Sequence, residues 1–482
     1  MITPQSQHTQ GIRPMKDAAR TPRRLLLGAG LFACLTPMSV GTAAQSELRW
    51  QPATDVQAPP ATTAAATTGA SPLLAPGTKP MPLADGFDVA RFEAMAQAVV
   101  ANQRVPGLAM AIVHNGQVLS ARGYGITDVR AAEPVDAHTV FRLASLSKSF
   151  AGTIAGMLVS EGAMRWDSRV VDYMPGLRMS NPEAAEMITV ADVLSHRVGL
   201  GRHTYDRDIE AGAEYNSLVQ RLSQAPMTCQ PGDCYSYQNV AFSLVGDVVF
   251  ATSGQFFNEA VSRRLFKPLG MHDASYGLDG IQNSPRWARP HVRSGRGWTS
   301  LTPKPTYYRV APAAGVNASI SDMAQWLIAN MGYRPDVLPA PLLSTLHSPI
   351  VGTPGEMRGR RGSWRSQRLN AAGYGLGWRV YDYSGHRMVF HGGAVQGYRG
   401  AMAMLPERDL GVVILWNSGS SLPSGLMPTI LDRAIGLPDD PWLAIDYDYE
   451  PDTRYGGEAA SRGASAGHVA GSAATISRAM PE

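Results

Sequence analysis

Lysine is scarce in this chain: of 43 basic side chains only five are lysines, Lys16, Lys79, Lys148, Lys267 and Lys304. Charge in general is thin, at 17% of 482 residues against 44% hydrophobic, which excludes a disordered polyelectrolyte and allows two or three domains or one large enzyme. The net charge of +4 disappears once residues 1–44 are set aside, because they hold Arg13, Lys16, Arg20, Arg23 and Arg24 against Asp17 alone. What remains has no basic tract interleaved with aromatics, so nucleic acid is not an expected partner. Long apolar runs are also missing, and the one at the start, "LLLGAGLFACL", is too short and badly flanked for a membrane span.

That run reads instead as an export signal. It follows Arg23 and Arg24 and precedes the small residues Gly41, Thr42, Ala43 and Ala44, a pattern suited to cleavage and to a periplasmic or secreted product. "TPRRLLL" has the twin-arginine form as well. A lipid-attachment site at Cys34 is the alternative, against which the bulky Phe32 stands. With Cys34 removed, only Cys229 and Cys234 are left, in "TCQPGDC". An oxidising compartment permits them to join across the Pro-Gly turn, though two unpaired thiols fit the spacing too.

Residues 45–85 are rich in Pro, Ala and Thr and read as a linker, and residues 451–482 as a low-complexity tail. The folded body is therefore expected at 86–450. Within it, two apolar runs meet at Asn115-Gly116, a strong hairpin signal, and two more flank a turn at Pro406 to Asp409. "YGLGWRVYDYSGHRMVFHGG" adds further strands, while "SFAGTIAGMLVSEG", "VADVLSH", "NVAFSLVGDVVFATSG" and "SISDMAQWLIAN" carry helical patterns. Strands at both ends with helices between them give an α/β (α+β) fold: an antiparallel sheet from both chain ends, flanked by helices, with a mainly helical insertion. A site would form where these parts meet.

Three motifs carry chemistry. Lys148 alone among the lysines has a serine three residues before it, Ser145, and at the start of a helix the two share a face. Arginine cannot give up its proton, whereas a desolvated lysine can, so the choice of lysine matters for a base. An ordinary helix cap followed by a surface lysine is the plainer reading. Tyr237 and Asn239, in "YQN", pair a phenol that can share a proton with an amide that can bind another amide. His391, Gly392, Gly393 and Ala394 follow a strand pattern, and the two glycines allow close approach of a ligand or backbone. Neither of these two motifs is decisive alone.

Together and in this order, S-x-x-K, Y-x-N and [KH]-x-G resemble the serine hydrolases of the β-lactamase and penicillin-binding-protein superfamily, most closely the class C enzymes. "VLSHRVGL" at 193–200, "PAAGVNASISDMAQWL" at 312–327 and "YGLGW" at 374–378 extend the resemblance over about 90–440. It implies that Ser145 attacks a carbonyl, that Lys148 and Tyr237 manage the proton, and that Asn239, His391 and Gly393 bind substrate. The N–H groups of Ser145 and Ala394 would form an oxyanion hole. No cofactor or metal is implied, and the chain is expected to act as a monomer on a small molecule or peptide.

The chain departs from class C at His391, where lysine usually meets a substrate carboxylate; histidine is largely neutral near pH 7. Arg399 could replace that charge. Lactamase, D,D-peptidase, esterase and penicillin sensor therefore stay open as activities. Two other patterns are set aside: G-x-S-x-G at 463–467 has no strand before it, and His196, His203 and Asp206 match no zinc spacing.

Overall fold

A computed structural model describes residues 79–443 apart from 296, 360, 361 and 439. The export signal, Cys34, the tail and most of the linker lie outside the described residues. The strands are β1 (Gly107–His114), β2 (Gln117–Gly125), β3 (Phe141–Arg142), β4 (Ser275–Tyr276), β5 (His291–Ser294), β6 (Gly297–Ser300), β7 (Val316–Ala318), β8 (Val351–Gly352), β9 (Leu369–Tyr374), β10 (Arg379–Tyr383), β11 (His386–Val395), β12 (Tyr398–Leu405) and β13 (Leu410–Trp416). Eight of them make one antiparallel sheet in the order β2-β1-β13-β12-β11-β10-β9-β8, so the first hairpin pairs with the last strand. This closure of the two chain ends on one sheet is the architecture the strand and helix pattern implied.

Local chemistry sets the turns. Asn115 and Gly116 both adopt positive φ, 49° and 68°, and join β1 to β2 as a tight hairpin whose twist suits the strands. Between β12 and β13, Pro406–Arg408 form one 3-10 turn and Asp409 reverses the chain at φ 48°. Cys229 and Cys234 are joined in a disulfide with Cα atoms 6.3 Å apart.

Side chains alternate across the sheet, and each face buries its own core. Leu108, Met110 and Ile112 of β1 with Val412 and Ile414 of β13 face Phe92, Ala96, Ile430 and Leu431. Those partners come from the helices Val89–Ala101 and Leu426–Ile435, which the sequence reading had not placed. On the other face Ala109, Ala111, Val413 and Leu415 meet helices Ser147–Ser160 and Ile320–Ile328. Ser319 and Asp322 cap the second of these reciprocally, side chain to backbone in both directions.

Helix Ser147–Ser160 is buried nearly all round, which a narrow apolar stripe would not allow. It lies backbone against backbone on the segment 374–378: a Cβ at Gly152 would fall 2.1 Å from the Leu376 carbonyl oxygen, and one at Gly377 2.3 Å from the Lys148 carbonyl oxygen. Gly152→Ala is expected to cost about 1–3 kcal/mol through this overlap, read as a lower denaturant midpoint with an unchanged slope. Wild-type stability in that variant would mean the two segments have room to part.

Candidate active site

Ser145 sits in the 3-10 turn Ala144–Leu146, which runs straight into helix Ser147–Ser160. Ala144, just before it, holds a left-handed φ of 51°, a strained conformation for a residue with a Cβ. The strain is kept by the contacts around it. A Cβ at Gly393 would meet the Leu143 carbonyl oxygen at 2.5 Å and the Ser145 backbone nitrogen at 3.2 Å, so β11 presses directly on the serine turn. β10 pairs with β11 only from His386 to Phe390, and the part of β11 from His391 to Val395 keeps β12 as its sheet partner. The part of β11 that β10 leaves therefore runs beside Ser145.

Lys148 is fully buried one turn along. Its Nζ lies 2.7 Å from Asn239 Oδ1, 3.1 Å from the Ala313 carbonyl oxygen and 3.5 Å from Ser145 Oγ. Burial pushes this amine well below its ordinary pKa, the charge of Arg379 lowers it further, and Asp206 opposes both. A neutral amine has two N–H bonds and one lone pair. Two acceptor-only oxygens take the N–H bonds, which leaves the lone pair for the hydroxyl of Ser145.

The acceptor on Asn239 is held in place from behind. Its Nδ2 donates to Asp206 Oδ2 at 2.8 Å, and the same oxygen pairs with His203 Nδ1 at 2.6 Å. Tyr237 lies under the amine, with Nζ 4.7 Å from its ring centre. Its phenol is raised to about 12, by burial above all, while Arg379 and a hydrogen bond with Ser145 pull the other way. Burial thus favours the unprotonated form of the amine and the protonated form of the phenol.

Behind Tyr237 stands a second layer. His196 Nδ1 accepts from the Gln238 backbone N–H at 3.1 Å, so its Nε2–H faces the Tyr374 hydroxyl at 3.2 Å. That hydroxyl lies 3.1 Å from His391 Nε2, and His391 Nδ1 donates to the Gly392 carbonyl oxygen at 2.8 Å. Arg379 reaches the same Nε2 through Nη1 at 3.2 Å, and its Nε meets both Glu356 oxygens at 3.0 Å.

The structure brings Ser145, Lys148, Tyr237 and Asn239 together, with Gly393 against the serine turn and Ala394 next along. Three residues expected to meet substrate have other surroundings in the structure. Asn239 spends its carbonyl on Lys148 and an N–H on Asp206, so its amide holds the lysine before it holds substrate. His391 has no exposed surface; its ring packs on Tyr374 and Arg379 behind the strand edge rather than lining it. Arg399 is opposite Ala394 and Trp416 in the ladder, on the alternate face from Gly393, and so points away from the Ser145 side of the sheet. Residue alternation puts odd and even positions of β11 on opposite faces, which the motif string alone does not display.

Sequence reasoning missed Arg379, Glu356 and Tyr374, and it set His196, His203 and Asp206 aside as unconvincing metal ligands. Tyr374 and His196 lie inside the phrases "YGLGW" and "VLSHRVGL", and Arg379 follows the first of these directly. Glu356 sits in the 3-10 turn Pro354–Met357, where no pattern marks it. Among the described residues no group of His, Cys, Asp and Glu could hold a metal ion.

The family profile described as Beta-lactamase matches residues 92–436, well over half the chain. This protein belongs to the beta-lactamase family. Among its relatives, Penicillin-binding protein 4 of Amycolatopsis lactamdurans is 27% identical over 365 residues, covering 73% of this chain and 91% of that protein. The octameric penicillin-binding protein homologue from Pyrococcus abyssi superposes with a TM-score of 0.64 at 24% identity, covering 73% and 78% of the two chains. The D-amino acid amidase from Ochrobactrum anthropi SV3 gives 0.59 at 21%, covering 72% and 98%. The beta-lactamase-family fold is thus shared with hydrolases of more than one kind.

Asn239→Asp would set a carboxylate against Nζ and hold Lys148 charged, since an opposite charge at this range raises an amine by about 1–3 units. The expected result is a roughly 10- to 1,000-fold loss of hydrolytic activity near pH 7 that recovers as the pH is raised. A pH–rate profile unmoved from wild type would show that Lys148 does not need to be neutral.

Proposed function

We propose that this chain is an exported serine hydrolase that cleaves amide-type bonds, in β-lactams or D-amino-acid peptides, through an acyl-enzyme on Ser145. The observation that carries the reading is the buried Nζ of Lys148, held by Asn239 Oδ1 and the Ala313 carbonyl oxygen and lying 3.5 Å from Ser145 Oγ. Lys148 takes the hydroxyl proton as Oγ bonds to the substrate carbonyl carbon. The oxygen that gains negative charge is received by the backbone N–H groups of Ser145 and Ala394, brought close by the contact at Gly393. The proton then passes by way of Lys148 and Tyr237 to the departing nitrogen as the C–N bond breaks. Water hydrolyses the ester that remains, and Ser145 regains its proton.

The amide substrates are supported by the names of the relatives, a penicillin-binding protein and a D-amino acid amidase. Export is supported by the signal-like first 44 residues and by the Cys229–Cys234 disulfide, a bond of oxidising compartments. A second reading, a carboxylesterase, is favoured by one feature of the site. Where class C enzymes usually carry lysine, His391 is buried, and burial with the nearby Arg379 and Lys148 charges pushes it well below its ordinary pKa. Arg379 itself is matched by Glu356. At the His391 position itself a substrate carboxylate therefore meets a neutral ring in place of a lysine ammonium.

Ser145→Ala is expected to abolish the mass increase seen after incubation with a penicillin, and Lys148→Arg to reduce it at least about 100-fold, because arginine keeps its proton. Turnover of a chromogenic cephalosporin supports the first reading. Turnover of a short nitrophenyl ester without cephalosporin cleavage would overturn it in favour of the esterase. Full labelling of Lys148→Arg would remove the proton-transfer role.

A further inference from the structure

The buried second layer contains a cation that no motif of the chain announces. Arg379 opens β10 at the point where β10 and β11 part, and its guanidinium carbon lies 5.2 Å from the Tyr237 ring centre and 5.4 Å from that of Tyr374. Three contacts hold it. Nε is bound by both carboxylate oxygens of Glu356, Nη1 by His391 Nε2, and a hydrogen bond joins it to Tyr237. Glu356 is fixed in turn by the hydroxyls of Tyr235, at 3.3 Å, and Tyr381.

The histidine contact has a direction. His391 Nδ1 faces a carbonyl oxygen and must carry the proton, so Nε2 is a lone pair, able to accept from Arg379 and from Tyr374. A lysine in place of His391 could not do this, because an ammonium has donors only. The residue that departs from the class C pattern is therefore the one that lets an arginine sit here.

Resting on the serine-hydrolase reading above, we propose that Arg379, clamped between neutral His391 and the Glu356 carboxylate, is a positioning residue that orients the Tyr237 phenol and biases Lys148 toward the unprotonated amine. It is placed through Tyr237 and His391, and its hydrogen bonds go to these two and to Glu356. Its charge acts across the Tyr237 ring, since Nζ of Lys148 lies 4.7 Å from the same ring centre on which Arg379 borders. The other groups facing Lys148 and Tyr237 divide clearly. Asp206 from the helix Asp206–Glu210 favours the charged amine, His203 screens Asp206, and His196, His391, Tyr235 and Tyr374 are neutral when buried. Arg379 is the cation of the set that opposes Asp206.

The sign of the effect follows. With Arg379 removed, Lys148 holds its proton to higher pH and the acidic limb of the acylation profile moves up. With Glu356 neutralised, the guanidinium acts uncompensated and the limb moves down. Two unit charges within about 10 Å at an effective dielectric near 20 shift such a limb by about one pH unit.

The test uses the full chain and nitrophenyl acetate, with the pre-steady-state burst followed against pH in Arg379→Gln, Arg379→Lys and Glu356→Gln. The proposal expects a limb raised by about one unit in Arg379→Gln, restored toward wild type in Arg379→Lys, and lowered in Glu356→Gln. A purely structural pair would lose amplitude in all three without moving the limb, or move it the same way in Arg379→Gln and Glu356→Gln; either result overturns the proposal. Circular dichroism melts identify any variant that fails to fold, and in that case Arg379→Lys against Glu356→Gln carries the comparison. Failure of wild type to form an acyl-enzyme would instead sink the serine-hydrolase reading, so the two failures are distinguishable.

Discussion

The site depends on one buried amine. Burying an ammonium without a matched counter-charge is costly enough that the group gives up its proton instead. At Lys148 the surroundings favour that choice: the nearest oxygens belong to an amide and a peptide carbonyl, and Asp206, which opposes it, is separated from the amine by Asn239 and shared with His203. The fold supplies the burial. Helix Ser147–Ser160 is enclosed by the 374–378 segment, by Ala313 and by the core on the inner face of the sheet, and the close approach at Gly152 and Gly377 leaves no gap for water on that side.

Around the amine, charge is arranged in compensated pairs. Arg379 meets Glu356, and Asp206 is hydrogen-bonded by both His203 and Asn239, so each charged group near the amine has a fixed partner. A directional chain of hydrogen bonds, from the Gln238 N–H through His196, Tyr374 and His391 to the Gly392 carbonyl, ties the segment before the helical part to the strand beside Ser145. Each member is satisfied, which is the condition under which a buried polar network rigidifies a site rather than weakening it. This gives a physical reason for a histidine at the third motif: it is an acceptor inside the network.

Much of the architecture was legible in the sequence. The Asn115-Gly116 hairpin, the Pro406 turn and the helical periods of 149–162 and 319–330 have local causes, and the order of the three motifs located the nucleophile and its partners. Legibility failed where the cause is tertiary. The terminal helices gave no strong signal because they are defined by packing on the outer face of the sheet. Arg399 looked apt by its place in the chain, yet strand alternation turns it to the other face from Gly393. Arg379 and Glu356 are 23 residues apart and meet only through the sheet and the turn at Pro354–Met357, so no short pattern could have paired them.

The central claim is that Lys148 is an amine, without its third proton, at neutral pH. The scarcity of lysine makes this directly observable, since only five Nζ signals exist in the whole chain. NMR of protein labelled with ¹⁵N-lysine, titrated with pH and assigned by comparison with Lys148→Arg, reads the protonation state of that nitrogen. The account predicts that the signal lost in the variant has neutral-amine character at pH 7 and titrates well below the other lysines. A Lys148 signal that stays ammonium-like up to the ordinary lysine range, about pH 10, would contradict it.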